Sequence, residues 1–538
     1  MLYCKATFLG FIMLVLFFGV SAQTMDWAWT LGAGSSGYDK CNDITTDSNG
    51  NSYTIGYFEQ TISFGTITLS SSGGDNQFVA KIDNSGNWLW ALRVSGTRGR
   101  DYSCIDIDGS NNVYIAGYGG DSSSFGGVIP TGNGGAFVAK LNSEGIWQWV
   151  TRTENMVMFL SVDDMGNSYI ASRIEYWKTD VNNTERIDSY IGRLDAEGNM
   201  LWVLPTGLIS IRDISADNNG NCYATGTFNG SYIFGDTTLI CPDESYNIFV
   251  AKIDSFANWN WAKQASGCLS LGISLCSNGN SYITGLFCET AIFGDITLTS
   301  IGYSSIFVAK LDGNGVWLWV TPAGSSLENS GYDIVADENG ACYLTGVLSS
   351  PASFGTITYN AGVNSAAFIA KISDDGNWLN VAGCVGEVID TSISIDAMGN
   401  SYIAGYYLGS IMFGDVLMES NGFYDMFVAK YGLATEVSDE VAVPKPAFAT
   451  VKSYPNPFYG STTFSIDVKE DNPHYELSVF DIRGRLLSTV YSGRLEKGLN
   501  TFTWDRDRNF NGNLPSGVYL YKFSDGINSI TNKIILLK

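Results

Sequence analysis

The chain is 538 residues long with a formal net charge of −24, and it combines 61 glycines, 14 Trp, 29 Tyr and 29 Phe with only 11 prolines. The charge is uneven: residues 23–450 hold 18 basic and 45 acidic side chains, and residues 451–538 hold 11 and 9. So acidic a surface repels nucleic acid and anionic membranes, and the glycine- and aromatic-rich composition suits short strands with tight turns.

Lys5, the apolar run Phe8 to Val20 and the small residues Val20-Ser21-Ala22 before Gln23 have the form of a secretory signal peptide over residues 1–22. The run falls short of the ~20 residues that span a bilayer. No later segment is apolar enough to cross as a helix, so the mature chain is expected to be exported with no transmembrane segment. Loss of Cys4 leaves nine cysteines, an odd number, with no metal-knuckle spacing. Cys222 and Cys342 precede repeat tyrosines where other units have serine, which fits small buried filler. Cys268, Cys276 and Cys288 are near enough in sequence for a local bridge, and the pairing stays open.

From residue 27 a repeat takes over. Phe-Val-Ala-Lys starts at Phe78, Phe137, Phe249, Phe307 and Phe427, with variants at Phe368 and Tyr190, at intervals of 59, 53, 59, 58, 61 and 59 residues. Each unit also carries a tyrosine after a Gly/Asn turn: Tyr53, Tyr114, Tyr169, Tyr223, Tyr282, Tyr343 and Tyr402. A Phe-Gly pair recurs at Phe64, Phe125, Phe234, Phe293, Phe354 and Phe413. Trp-x-Trp begins at Trp27, Trp88, Trp147, Trp259 and Trp317, and decays to Met200-x-Trp202 and Trp378-x-Asn380. Residues i and i+2 share one face of a strand, so each marker reads as a short β-strand, four to a unit. Turns such as Asp47-Ser48-Asn49-Gly50-Asn51 supply the residues that tight hairpins need.

Four strands per unit and seven units predict a seven-bladed β-propeller over 23–431. The phase favours a closed ring over an open solenoid. The chain opens on an orphan Trp27-x-Trp29 strand, while the last unit stops at Phe427–Lys430 without one, so joining the ends completes a blade and hides its edges. The repeated tryptophans read as core between blades, and Trp90→Ala is expected to cost ~3–5 kcal/mol.

The order D-x-x-GN-x-Y, FG, FVAK-x-D, W-x-W resembles the SBBP family of bacterial β-propeller repeats over roughly residues 27–431. That resemblance implies the fold and no particular activity. The third unit departs from it, reading Arg173-Ile174-Glu175-Tyr176-Trp177-Lys178-Thr179-Asp180 in place of Phe-Gly. Glu175, Tyr176, Trp177 and Asp180 are therefore a candidate binding patch, suited to stacking on a sugar ring, with a drifted loop as the plain alternative.

Residues 432–452 read as an acidic, proline-bearing linker, and 453–538 as a small Ig-like β-sandwich of alternating strands. Its motifs run Tyr454-Pro455-Asn456-Pro457-Phe458, then Asp481-Ile482-Arg483-Gly484-Arg485, then Gly517-Val518-Tyr519, with a basic and aliphatic end from Lys533 to Lys538. This order is similar to the type A sorting domain of type IX secretion. The resemblance implies passage from the periplasm across the outer membrane by that machinery, followed by release or attachment at the surface.

The single histidine, His474, lies in this tail, which removes His-dependent triads and histidine zinc sites from the repeat region. Catalysis there would need paired carboxylates. Asp47, Asp108, Asp163, Asp217, Asp337 and Asp396 all stand six residues before their tyrosine, which marks turn-formers rather than catalysts. The same turns raise calcium as a ligand but lack the distal glutamate of an EF-hand, so no cofactor is expected. The reading is a secreted or surface module that binds an extracellular glycan or protein without catalysis. Its alternative is a glycoside hydrolase or lyase with two carboxylates in the propeller funnel.

Overall fold

The computed structural model describes residues 25–71, 76–97, 103–172, 189–207, 209–242, 246–361, 366–433, 449–469, 472–480, 485–506, 514–524 and 529–537. The chain is all-β and divides into two compact units, Met1–Thr435 and Glu436–Lys538. No helix among the described residues is long and apolar enough to cross a membrane.

In the first unit one four-strand antiparallel succession recurs. It begins with Lys40–Thr46, Ser52–Phe58, Asn76–Ile82 and Trp88–Thr97, each pairing with the next. Ser103–Ile107, Val113–Ser124, Ala136–Leu141 and Trp147–Thr153 repeat it, as do Val157–Val162, Ser168–Ser172, Tyr190–Leu194 and Met200–Pro205. Two long strands, Trp259–Leu275 and Trp378–Ile395, each serve as the outer strand of one sheet and the inner strand of the following one. The final sheet runs from the end of Trp378–Ile395 through Ser401–Phe413 and Val416–Leu433, and its fourth strand is Met25–Ala33 from the start of the chain.

The second strand of a sheet is buried along its length, as Ser52–Phe58 and Cys222–Phe228 show, because neighbouring sheets cover both its faces. Tyr53, Ile55 and Val79 share a core with Ile105, Ile115 and Phe137 of the next sheet. Tyr402, Ala404 and Val428 of the final sheet share one with Ile44, Phe78 and Ala80 of the first. Each turn aspartate closes its hairpin. Asp47 accepts the backbone amides of Asn49 and Asn51 on one oxygen, at 3.0 and 2.9 Å, and Asn51 Nδ2 and the Tyr53 hydroxyl on the other, at 2.8 and 3.2 Å. Gly50 in this turn sits at φ 79°, where a side chain would be strained.

The tryptophans of Trp-x-Trp have two jobs. The first lies edge-on to the Phe of its own Phe-Gly hairpin, as Trp88 does to Phe64 at 4.9 Å and Trp27 to Phe413 at 4.8 Å. The second, half-buried, crosses to the next sheet and donates its indole N–H to a turn carbonyl there. Trp90 reaches Ser143, Trp149 reaches Ala196, Trp202 reaches Ser255, Trp261 reaches Gly313 and Trp319 reaches Asp374, at 2.8 to 3.1 Å. Trp29 of the first strand makes the same bond to Asn84 at 3.0 Å, from the final sheet to the first. Where the indole is missing, Asn380 Nδ2 donates to the Tyr431 hydroxyl at 3.0 Å, and Tyr431 takes the place of an aliphatic residue in the other units.

In the second unit, Ala449–Tyr454, Ser461–Val468 and Gly498–Asp505 form one sheet. Asn472–Phe480, Leu486–Leu495, Gly517–Ser524 and Ser529–Leu536 form another. Phe464 and Ile466 of the first share a core with Leu477, Val479, Tyr521 and Ile534 of the second, and Trp504 is fully buried between them.

Half-burial and one inter-sheet hydrogen bond set the worth of a clamp indole below that of a fully enclosed tryptophan. Trp90→Ala is predicted to cost about 2–4 kcal/mol in a urea melt. A midpoint equal to that of the unaltered protein would contradict the clamp.

Candidate functional site

The first strand of every sheet in the larger unit turns its residues toward one cavity of about 560 Å³. Counted back from the repeat tyrosine, the residues at position eleven are Asn42, Ser103, Met158, Arg212, Leu271, Tyr332 and Thr391, and all of them line it. No two are alike, in contrast to the repeated positions of the scaffold. Most residues of the next position join them: Asp43, Cys104, Phe159, Asp213, Asp333 and Ser392. The walls therefore differ. Met158, Phe159, Leu160 and Leu271 are apolar, with Arg212 and Asp213 of the intervening unit between them, while Lys40, Asn42, Tyr332, Asp390 and Tyr406 make a polar and aromatic side.

Within and beside this lining, side chains stitch each first strand to the next. Asp43 accepts the amide of Ile105 at 2.9 Å, and Asp106 that of Val162 at 2.7 Å. Ser161 accepts the amide of Ala216 at 3.0 Å, Asp213 that of Ile273 at 2.8 Å, and Ser274 that of Ala336 at 3.0 Å. Asp333 accepts the amide of Ile393 at 2.9 Å. The Ser392 hydroxyl then lies 2.7 Å from Asp43 and 2.9 Å from Asp333, which returns the chain of bonds to its start.

Burial dominates the electrostatics of these carboxyls. It pushes Asp43 and Asp106 each up to about 7 against partial offset by the amide bonds, and the Asp333 charge raises Asp43 further. Asp213 and Asp333 are raised by the same desolvation, and at Asp213 the Asp333 charge comes next. Ser392 has one proton to donate and two carboxylates in reach, so this cluster is satisfied when one carboxyl is protonated. Asp43 and Asp333 are the carboxylate pair that the sequence did not reveal. Their oxygens already accept backbone amides, including those of Ile44 and Ile334 at 2.8 and 2.7 Å, which makes them joints of the scaffold.

Glu175, Tyr176, Trp177 and Asp180 lie outside the described residues. The turn carboxylates raised for calcium face N–H and O–H donors, a poor fit for a cation. Among the described residues no cluster of three or more His, Cys, Asp or Glu is placed to hold a metal. None of the nine described cysteines is bridged; eight are buried and Cys288 is exposed. The Cys268, Cys276 and Cys288 bridge is accordingly not formed.

In the second unit Tyr454, Pro455, Asn456 and Pro457 are exposed while Phe458 is buried against Trp504 at 5.8 Å. Asn456 ties this loop to the last strand, donating to the Lys533 carbonyl at 3.0 Å and accepting the Ile535 amide at 2.9 Å. Tyr519 is buried, Gly517 opens its strand, and Lys533 is exposed. Gly484 and Lys538 lie outside the described residues.

Residues 452–537 match the family model of the secretion system C-terminal sorting domain, and residues 28–57 match that of the β-propeller repeat SBBP. The chain thus carries a β-propeller repeat and a type IX sorting tail, from which a destination at the cell surface or beyond follows. An uncharacterized WD repeat-containing protein of Acanthamoeba polyphaga mimivirus is 23% identical over 75% of this chain, which spans only 38% of that relative. The structure of U3-55K aligns with 76% of this chain and 99% of its own at 9% identity and a TM-score of 0.41. The Dos1 propeller aligns with 76% and 95% at 9% identity and a TM-score of 0.34. PorZ of Porphyromonas gingivalis, described as an essential bacterial surface component of the type IX secretion system, aligns with 95% and 100% at 11% identity and a TM-score of 0.17.

Two outcomes follow from the geometry. A carboxyl raised from 3.8 to about 7 keeps its proton in the folded state over a window where the unfolded chain has lost it. Its contribution is complete below pH 3.8 and is lost as pH rises toward 7. Asn at position 43 mimics the protonated form, so the melting temperature of Asp43→Asn relative to wild type should climb by several degrees between pH 5 and pH 8; a constant difference would contradict the protonated cluster. Millimolar calcium and a chelator should give the same melting temperature, and a calcium-dependent rise would show that the turns bind it.

Proposed function

We propose that residues 23–431 form a seven-bladed ring closed by the first strand, and that it acts as an extracellular module that binds a glycan or protein without transforming it. In this reading residues 1–22 are the signal peptide, 432–452 a linker, and 453–538 an Ig-like sandwich read by the type IX machinery. The pairing of Met25–Ala33 with Val416–Leu433 supports closure, since it supplies the strand the final sheet lacks. The observation that carries the binding role is the lining of unlike residues over a repeated scaffold. Against strongly repeated turn, core and clamp positions, a layer facing the cavity in which all seven residues differ fits an asymmetric ligand.

The reading without catalysis is supported by the engaged state of the one close carboxylate pair, Asp43 and Asp333. A general acid or nucleophile needs an oxygen open to substrate, and those of Asp43 and Asp333 are held by amides of their own and adjoining strands. No cofactor is required by this reading. The hydrolase or lyase alternative keeps one point in its favour, the pairing of these two carboxyls around Ser392.

The mature chain incubated with a panel of polysaccharides should retain one of them with no new reducing ends or unsaturated products. Product formation would replace this reading with the catalytic one. Removal of 453–538 should leave the protein in the periplasm by cell fractionation, while surface exposure without that segment would remove its export role.

A further inference from the structure

We infer that the cavity takes the end of a neutral glycan, one or two sugar units, with a pyranose face laid on Tyr332 and Tyr406. This rests on the reading of the cavity as the binding site and adds the class of ligand.

The chemistry narrows the choice by charge first. Lys40 and Arg212 line the cavity beside Asp390 and three carboxyls that burial pushes toward their neutral form, so the wall gives a cation no clear advantage. An anion approaches a chain of net charge −24 and then meets Asp390 at the wall. A neutral molecule escapes both penalties. The lining then offers groups that pair with hydroxyls: the Asn42 side chain stands on the polar wall, and the exposed Asp390 carboxylate beside it accepts hydrogen bonds.

Shape and polarity complete the case. A sugar ring has an apolar C–H face and an equator of hydroxyls, which matches a wall that sets the rings of Tyr332 and Tyr406 among polar side chains. Aromatic side chains gather at the polar wall, where Lys40 lies over the rings of Tyr406, Tyr57 and Tyr424 at 4.6, 5.4 and 5.9 Å. That cage holds the ammonium against the three rings. A volume of about 560 Å³ lies within the roughly 300–1,000 Å³ that encloses a small ligand and suits one or two sugar units.

The test is calorimetric titration of the full mature chain with cellobiose, chitobiose, lactose and maltose, and with digalacturonate and lysinamide as charged controls. At least one neutral disaccharide should bind while both controls fail. Tyr332→Ala and Tyr406→Ala should each weaken that binding about tenfold, with Tyr332→Phe and Tyr406→Phe near wild type. The phenylalanine pair separates loss of stacking from loss of fold. Binding of the charged probes alone, or of a disaccharide equally by the alanine variants, would overturn the inference. Alanine variants that still retain a polysaccharide would leave the binding role standing with its site elsewhere. A chain that binds no probe and no polysaccharide would overturn both.

Discussion

The hydrogen bond that leaves one sheet and ends on the backbone of the next is what the larger unit depends on. Within a sheet the ladder is complete, but nothing in a ladder fixes one sheet against another. Apolar packing supplies most of the free energy between sheets and has little directional preference. Direction comes from two sets of polar contacts. Asp and Ser side chains on the first strands reach the amide of the following strand. Indole N–H groups on the outer strands reach a carbonyl of the following turn. One set acts near the cavity and the other at the rim, so together they fix both position and angle.

These contacts explain why the inner carboxylates do not behave as ordinary acids. A buried carboxyl that accepts two amides is held by its geometry, yet desolvation still opposes its charge. Four of them on the first strands, three lining the cavity, cannot all ionise cheaply, and Ser392, between Asp43 and Asp333, marks where a proton is shared. Structural use of these groups leaves recognition to the lining residues that stand immediately before Asp43, Asp213 and Asp333 in their strands. There, side-chain size and polarity change from sheet to sheet, and the scaffold does not constrain them.

Much of this was legible in the sequence because the repeat is dense in markers. Tyrosines, Phe-Val-Ala-Lys and Trp-x-Trp each pointed to a strand, and the orphan Trp27-x-Trp29 pointed to its pairing with the last unit. The acid ring was not read. Asp43, Asp213 and Asp333 stand ten residues before their tyrosine and Asp106 eight, while the remaining units use serine or nothing ionisable. Their role depends on a strand some 60 residues away, which no pattern within one unit displays. A signal was present all the same, since each is followed by isoleucine: Ile44, Ile107, Ile214 and Ile334. Asn380 was read as decay of a tryptophan, whereas Tyr431 in the next sheet supplies a polar partner that only the fold brings near. The candidate patch at Glu175 to Asp180 drew notice by breaking the repeat; the cavity lining broke it more quietly, one residue per unit.

The central claim is that the sheets form one closed and cooperative ring, and Trp29 tests it most directly because it joins the final sheet to the first. In a closed ring, Trp29→Ala should lower the urea midpoint of the whole unit by as much as removal of an indole between consecutive sheets, in a single transition. In an open array Trp29 would sit on a free end, and its loss would leave the main transition unmoved; that result would contradict the account.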